Sequence, residues 1–328
     1  MDEAAVSERE ITERVDLCTA SGRLNPDAVG WTRRPLHRAN LRGWGRCKRW
    51  EYWGIVTPDH IIGIVLTSLD YAGLQGIYLL DRRDGTEVVK DVVSPLARGV
   101  QLPDRSGEGT ASGHAGDVVI ELRNDVGGTR IHATTPRIDI DLRALLPVEH
   151  ESLGVVVPWS DNRFQYTVKD LGRPVSGTVT IDGVAHVIDD GFAVLDHGRG
   201  KWPYSIAWNW AAGCGPGIGI QLGGRWTDGT GATENGLFVG GRLHKIGDEL
   251  EWHYDRGDWL RPWRITGPRV AVEFTPFHVR ASRTALGVLA NETHQCFGHF
   301  TGRACADDGD WVELDGLTGW AEEARNRW

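Results

Sequence analysis

The sequence predicts an all-β protein, a sandwich or barrel preceded by a short N-terminal helix. Two observations carry this. Forty-three Gly and fourteen Pro punctuate 328 residues, leaving short alternating or apolar runs between them. Turn signals also recur roughly every ten to fifteen residues, the spacing of an antiparallel β domain. In order, residues 3–17 set Ala4, Ile11, Val15 and Leu17 among charges, a helical pattern that stops by Gly22. Strand-like runs follow at 52–57, 61–69, 76–80, 118–122, 129–134, 137–142, 176–181 and 184–188. More follow at 205–211, 217–222, 236–239, 250–254, 269–276, 297–303 and 311–317. RRDG at 82–85, NDVGG at 124–128, IDG at 181–183, TDGTG at 227–231 and DDGD at 307–310 supply turns. There is no βαβ alternation, no strand–GxGxxG–helix and no nucleophile elbow.

Composition narrows the function classes. Hydrophobic residues are 40% and charged residues 25%, which fits a globular chain. Thirty-six basic against forty-five acidic residues give a net charge of −9, which repels nucleic acid and anionic membranes. A basic stretch between Ala28 and Trp50, with Trp31, Trp44 and Trp50, reads as a solvated face paired with acids elsewhere. The most apolar run, 61–69, is too short to span a bilayer. The acidic N-terminus is not a secretory signal. Cys18, Cys47, Cys214, Cys296 and Cys305 are odd in number and form no CxxC pair, so they read as reduced thiols in a cytoplasmic protein. The polar Gly-Pro turn KDLGRP near mid-chain suggests a boundary: an extension at 1–24, one β domain at 25–172 and a second at 173–328.

Fifteen Trp outnumber Tyr and Phe together, at six and seven. They concentrate in 189–210, DDGFAVLDHGRGKWPYSIAWNW, the expected wall of a buried ligand site. If 205–211 is a strand, Ile206, Trp208 and Trp210 share a face, and Asn209 points to the other. Asp196 and His197 stand beside Trp202, Tyr204 and Arg199. An acid near an apolar wall has its pKa raised toward neutrality, as proton transfer requires. A second carboxylate is expected at Glu234, within GRWTDGTGATENGL, where Trp226, Asp228 and Asn235 join the binding set; the bland alternative is a hairpin with DG and NG turns. Asp70 and Tyr71, after the apolar run, and Tyr52 and Trp53 are further candidates. His294, Cys296 and His299 do not share one strand face and read as packing residues, with no metal expected.

Gly191–Phe192, Asp196–His197, Gly200 and Trp208–Asn209–Trp210 resemble a motif of the lipocalin-like superfamily that includes carotenoid 1,2-hydratases, AttH-like proteins and Diels–Alderase-type cyclases. Nearly the whole chain is similar to a bacterial family designated domain of unknown function 2804. Residues 25–44, 48–55, 196–211, 223–246 and 319–328 carry that similarity. The superfamily resemblance implies two lipocalin-like barrels, a mostly apolar small-molecule substrate, chemistry without an organic cofactor, and Asp196 and His197 in the site. Arg199 stands where those relatives carry an aromatic residue, which points to a more polar or anionic substrate than a carotenoid. The combined expectation is a cofactor-independent hydratase, dehydratase or cyclase acting on a terpenoid-like molecule. Asp196 or Glu234 would donate the proton, His197 would orient or accept it, and Trp202, Trp208 and Trp210 would shield a cation. The alternative is a non-catalytic lipocalin-like binder of an apolar ligand.

Overall fold

β-branched and aromatic runs pair into antiparallel ladders because each presents an apolar face to a neighbour. The computed structural model describes residues 8–286 and 289–327. It is 64% strand and 1% helix, in two curled half-barrel sheets consistent with two lipocalin-like halves.

The first sheet runs in the spatial order Glu87–Pro95, Ala72–Asp81, His60–Ser68, Cys47–Val56, Val184–Lys201, Arg163–Ile181, Ile138–Leu145, Gly128–Thr134, Val118–Asp125, Thr110–Ala115 and Val100–Gln101. Leu153–Ser160 also pairs with Arg163–Ile181. The second sheet runs Arg242–Ile246, Asn235–Val239, Ile218–Gly224, Ser205–Gly215, Thr318–Arg327, Leu289–Cys305, Val270–Leu286, Trp263–Gly267 and Glu251–His253. Each sheet curls around its own apolar filling. Trp53, Ile55, Ile64, Leu142 and Leu195 belong to the first, and Ala211, Ile265, Phe274, Cys296 and Phe300 to the second. A third cluster, including Val56, Leu171, Val194, Trp210, Phe297 and Trp320, draws residues from both sheets. The candidate site lies along this seam.

Two expectations change. Residues 8–17 form no helix. They are extended: Glu10 bridges to Trp31, and Val15–Asp16 pairs with His37–Arg38. Ile11 and Leu17 are buried by this docking, and tertiary pairing overrides a pattern too short to hold a helix alone. The remainder of the expected helix, 3–7, lies outside the described residues. The division after residue 172 falls inside Arg163–Ile181, where Leu171 and Arg173 flank a register shift. Gly172, with φ at 74°, takes up that bulge. The Gly-Pro signal therefore bends a strand, and the chain changes sheets at 202–204. Among the described residues no helix is long and apolar enough to cross a membrane.

Candidate functional site

The long strand Val184–Lys201 carries Asp196 on the face turned to the second sheet. Its register partner is Lys169 on Arg163–Ile181. Directly opposed residues share a face, and Lys169 Nζ lies 3.0 Å from Asp196 Oδ1. Asp196 is otherwise satisfied from its own sheet: Thr167 Oγ1 donates to Oδ1 and Trp50 Nε1 donates to Oδ2, both at 3.0 Å. From the second sheet comes Glu234, whose Oε2 is 3.3 Å from the same ammonium and whose Oε1 accepts from Trp226 Nε1 at 2.6 Å. Glu322, on Thr318–Arg327, accepts from Trp208 Nε1 at 2.8 Å. Two buried carboxyl groups thus pair with one buried ammonium, and a third, Glu322, feels its charge without pairing with it.

Tryptophans wall this cluster. Trp202, in the crossover between sheets, stacks on Trp226 with centroids 5.9 Å apart, and meets Trp50, Trp159 and Trp208 edge-on at 5.4, 5.3 and 5.9 Å. Trp210 lies under Lys169, with Nζ 4.2 Å from its ring centroid. Tyr52 closes against Trp210 at 5.8 Å. Indole N–H groups are donors only; here those of Trp50, Trp208 and Trp226 all point to carboxylates, while Trp202 and Trp210 donate to Gln165 and Gln221. Glycine makes the close packing possible: a Cβ at Gly198 would sit 2.1 Å from the Trp50 ring.

Burial sets the electrostatics. It pushes the Glu234 carboxyl up to about 7; Lys169 opposes this and Asp196 adds to it. It pushes Glu322 up to about 7 as well, against the Trp208 hydrogen bond and Lys169. Burial also opposes the charge on Lys169, yet Asp196 and Glu234 outweigh it and hold the ammonium above its ordinary range. The cluster therefore pairs a fixed Asp196–Lys169 couple with two carboxyls that change protonation near neutrality, the pattern of acid and base roles separated by environment.

The structure brings together Asp196, Glu234, Tyr52, Trp202, Trp208, Trp210 and Trp226. It does not bring His197. Successive residues on a strand face opposite sides, so His197 points into the first barrel, with Nδ1 3.5 Å from Glu51 Oε2. Burial lowers its pKa to about 4. Arg199 is on that inner face too, bonding the carbonyls of Trp50 and Pro103. Those bonds hold backbone in place. Trp53 fills the same barrel. Asp70, with φ at 68°, accepts from the backbone of Gly45 and Cys47 and pairs with Arg49 at 3.1 Å. Tyr71 meets Lys48 beside it. Both organise a loop. Tyr204 is about half-exposed, at 42%. Asn209 turns into the second barrel toward Tyr254. Asp228 accepts from Arg225 N and Asn235 from Gly223 N, which is turn and strand-end chemistry. His294 stacks on Trp259, Cys296 is buried and His299 meets Thr318.

The sequence reading missed Lys169, Glu322, Trp50, Trp159 and Thr167. Lys169 was hidden in the KDLGRP turn signal. A strand assignment across it would have placed it on the face of Thr167 and Gln165.

The family model described as Domain of unknown function (DUF2804) matches residues 8–328. The chain belongs to this family. No curated protein is a significant match to the sequence. Among solved structures, the chain is similar to kievitone hydratase from Nectria haematococca, at 9% identity and a TM-score of 0.52, over 85% of this chain and 88% of that one. It is also similar to a protein of Nitrosomonas europaea provisionally assigned as an AttH, at 12% identity and a TM-score of 0.47, over 85% and 92% of the two chains. The first likeness shows a shared fold.

Proposed function

We propose that this protein is a cofactor-independent hydro-lyase, adding water to or removing it from a largely apolar small molecule at the seam between its two sheets. One observation carries the reading: Glu234 and Glu322, both held near pH 7, face the Asp196–Lys169 couple inside a tryptophan enclosure. In the hydration direction, protonated Glu234 donates its proton to an alkene carbon, and the π pair becomes the new C–H bond. The adjacent carbon is then cationic, and the indole faces attract it. A water lone pair closes the C–O bond, and the water's surplus proton passes to ionised Glu322. Proton exchange with solvent returns both carboxyls to their starting states. Dehydration is the same sequence reversed. Lys169 holds the Asp196 carboxyl in place beside the reacting carbons through its 3.0 Å contact. A hydratase shares the fold, which is compatible with this reading.

The test is incubation with a panel of isoprenoid and phenolic alkenes in water enriched in oxygen-18, followed by mass spectrometry. Gain of one labelled water, lost in both Glu234→Gln and Glu322→Gln, is the expected result. The same tryptophans would serve a carrier. Quenching of tryptophan fluorescence with unmodified ligand recovered across the panel would replace the lyase by a binding protein.

A further inference from the structure

Away from the seam, the open end of the second barrel holds a cavity of about 640 Å³, within the range of small-molecule sites. Five guanidinium groups line it: Arg225, Arg256, Arg283, Arg325 and Arg327. Register explains their convergence. Arg283 is opposite Glu292, and Glu292 is opposite Arg325. Stepping by twos from Cys296 and Ala321, which fill the barrel, puts Glu292 and Arg325 on the inner face.

Two carboxylates meet these five cations. Glu323 is nearly fully buried and is shared among Arg225 at 3.2 Å, Arg256 at 2.7 Å and Arg325 at 2.9 Å, with the Tyr254 hydroxyl also donating to it. It fixes three guanidinium groups in position. Glu292 is the other. Among the described residues no carboxylate is within ion-pair range of Arg283 or Arg327. In a chain of net charge −9 this is a concentrated surplus of positive charge.

We propose that this cavity is a second binding site, which takes the carboxylate or phosphate of a small organic anion. Arg283 and Arg327 are the free arms, and Arg225, Arg256 and Arg325 form the pre-set rim. Guanidinium groups suit this because their paired N–H donors match the two oxygens of a carboxylate or phosphate. The volume favours an organic anion over a bare inorganic one. The site is independent of the seam chemistry.

Isothermal titration with benzoate, phenyl phosphate and neutral benzyl alcohol tests it, on the full chain and on the Arg283→Gln/Arg327→Gln double variant. Both replaced residues are exposed, so the fold should hold, and circular dichroism checks this. The expected result is that one or both anions bind, more weakly as salt rises from 50 to 300 mM, with affinity falling at least tenfold in the double variant. The better of the two names the head group. Benzyl alcohol should show no difference between the proteins. Equal binding of the neutral and anionic probes, or unchanged affinity in the folded double variant, would overturn the proposal. Glu234→Gln should bind the anion like the wild type, so failure of the hydro-lyase reading and failure of this one are separable.

Discussion

Glu234→Gln tests the central premise without any knowledge of the substrate. The amide has the shape of the acid and keeps the oxygen that accepts from Trp226 Nε1. It cannot ionise. Burial holds the native carboxyl near pH 7, whereas the unfolded chain releases its proton near 4.5. Between those values the folded state binds more protons than the unfolded state, so wild-type stability falls as pH rises through this window. At about 1.4 kcal/mol per tenfold change in proton affinity, the full effect is about 3 kcal/mol, of which roughly 2.5 kcal/mol falls between pH 5 and pH 9. The variant escapes it. Near pH 5 the two proteins should therefore be similarly stable, and by pH 9 the variant should have gained roughly 2.5 kcal/mol on the wild type. Urea unfolding at pH 5, 7 and 9 reads this directly, provided the slopes match. A stability gap constant across the three pH values, within about 0.5 kcal/mol, would mean that Glu234 ionises like an ordinary glutamate. It could then not serve as a proton donor at neutral pH, and the proposed chemistry would lose its acid.

Asp196→Asn removes the closest partner of a buried ammonium; thermal unfolding should show a loss of about 3 kcal/mol, and an unchanged melting temperature would refute the buried couple. Gly198→Ala places a methyl 2.1 Å from the Trp50 ring, so Trp50 must leave Asp196, with about 2 kcal/mol lost in urea titration and a red-shifted tryptophan emission. His197→Gln should leave turnover intact, because the ring faces away from the seam. In the wild type, burial lowers His197 to about 4, so the folded state binds fewer protons than the unfolded one between about 4 and 6.5, and stability is lost as pH falls through that window. The variant should lack this acid-side loss, of about 3 kcal/mol in full; identical acid unfolding curves for the two proteins would count against it.

What the sequence determined by itself was periodic and local. Alternating runs cut by glycine and turn dipeptides specify strands and an all-β fold, while the division into two halves rested on chain length and the lipocalin-like resemblance. The tryptophan-rich crossover and the alternation of Ile206, Trp208 and Trp210 were legible for the same reason: a pleat fixes which neighbours share a face. The same rule, applied one residue further, separates Asp196 from His197, two residues that adjacency had joined. Over residues 8–17 the helical pattern misled because edge pairing with Trp31 and His37 offered a better burial than an isolated short helix. Tertiary structure alone decided the partners. Lys169 and Glu322 lie 27 and 126 positions from Asp196 in the chain, and only cross-strand register and the packing of sheet on sheet gather them into one buried cluster. Burial, which a sequence does not display, then turned two ordinary glutamates into acids that ionise near neutrality.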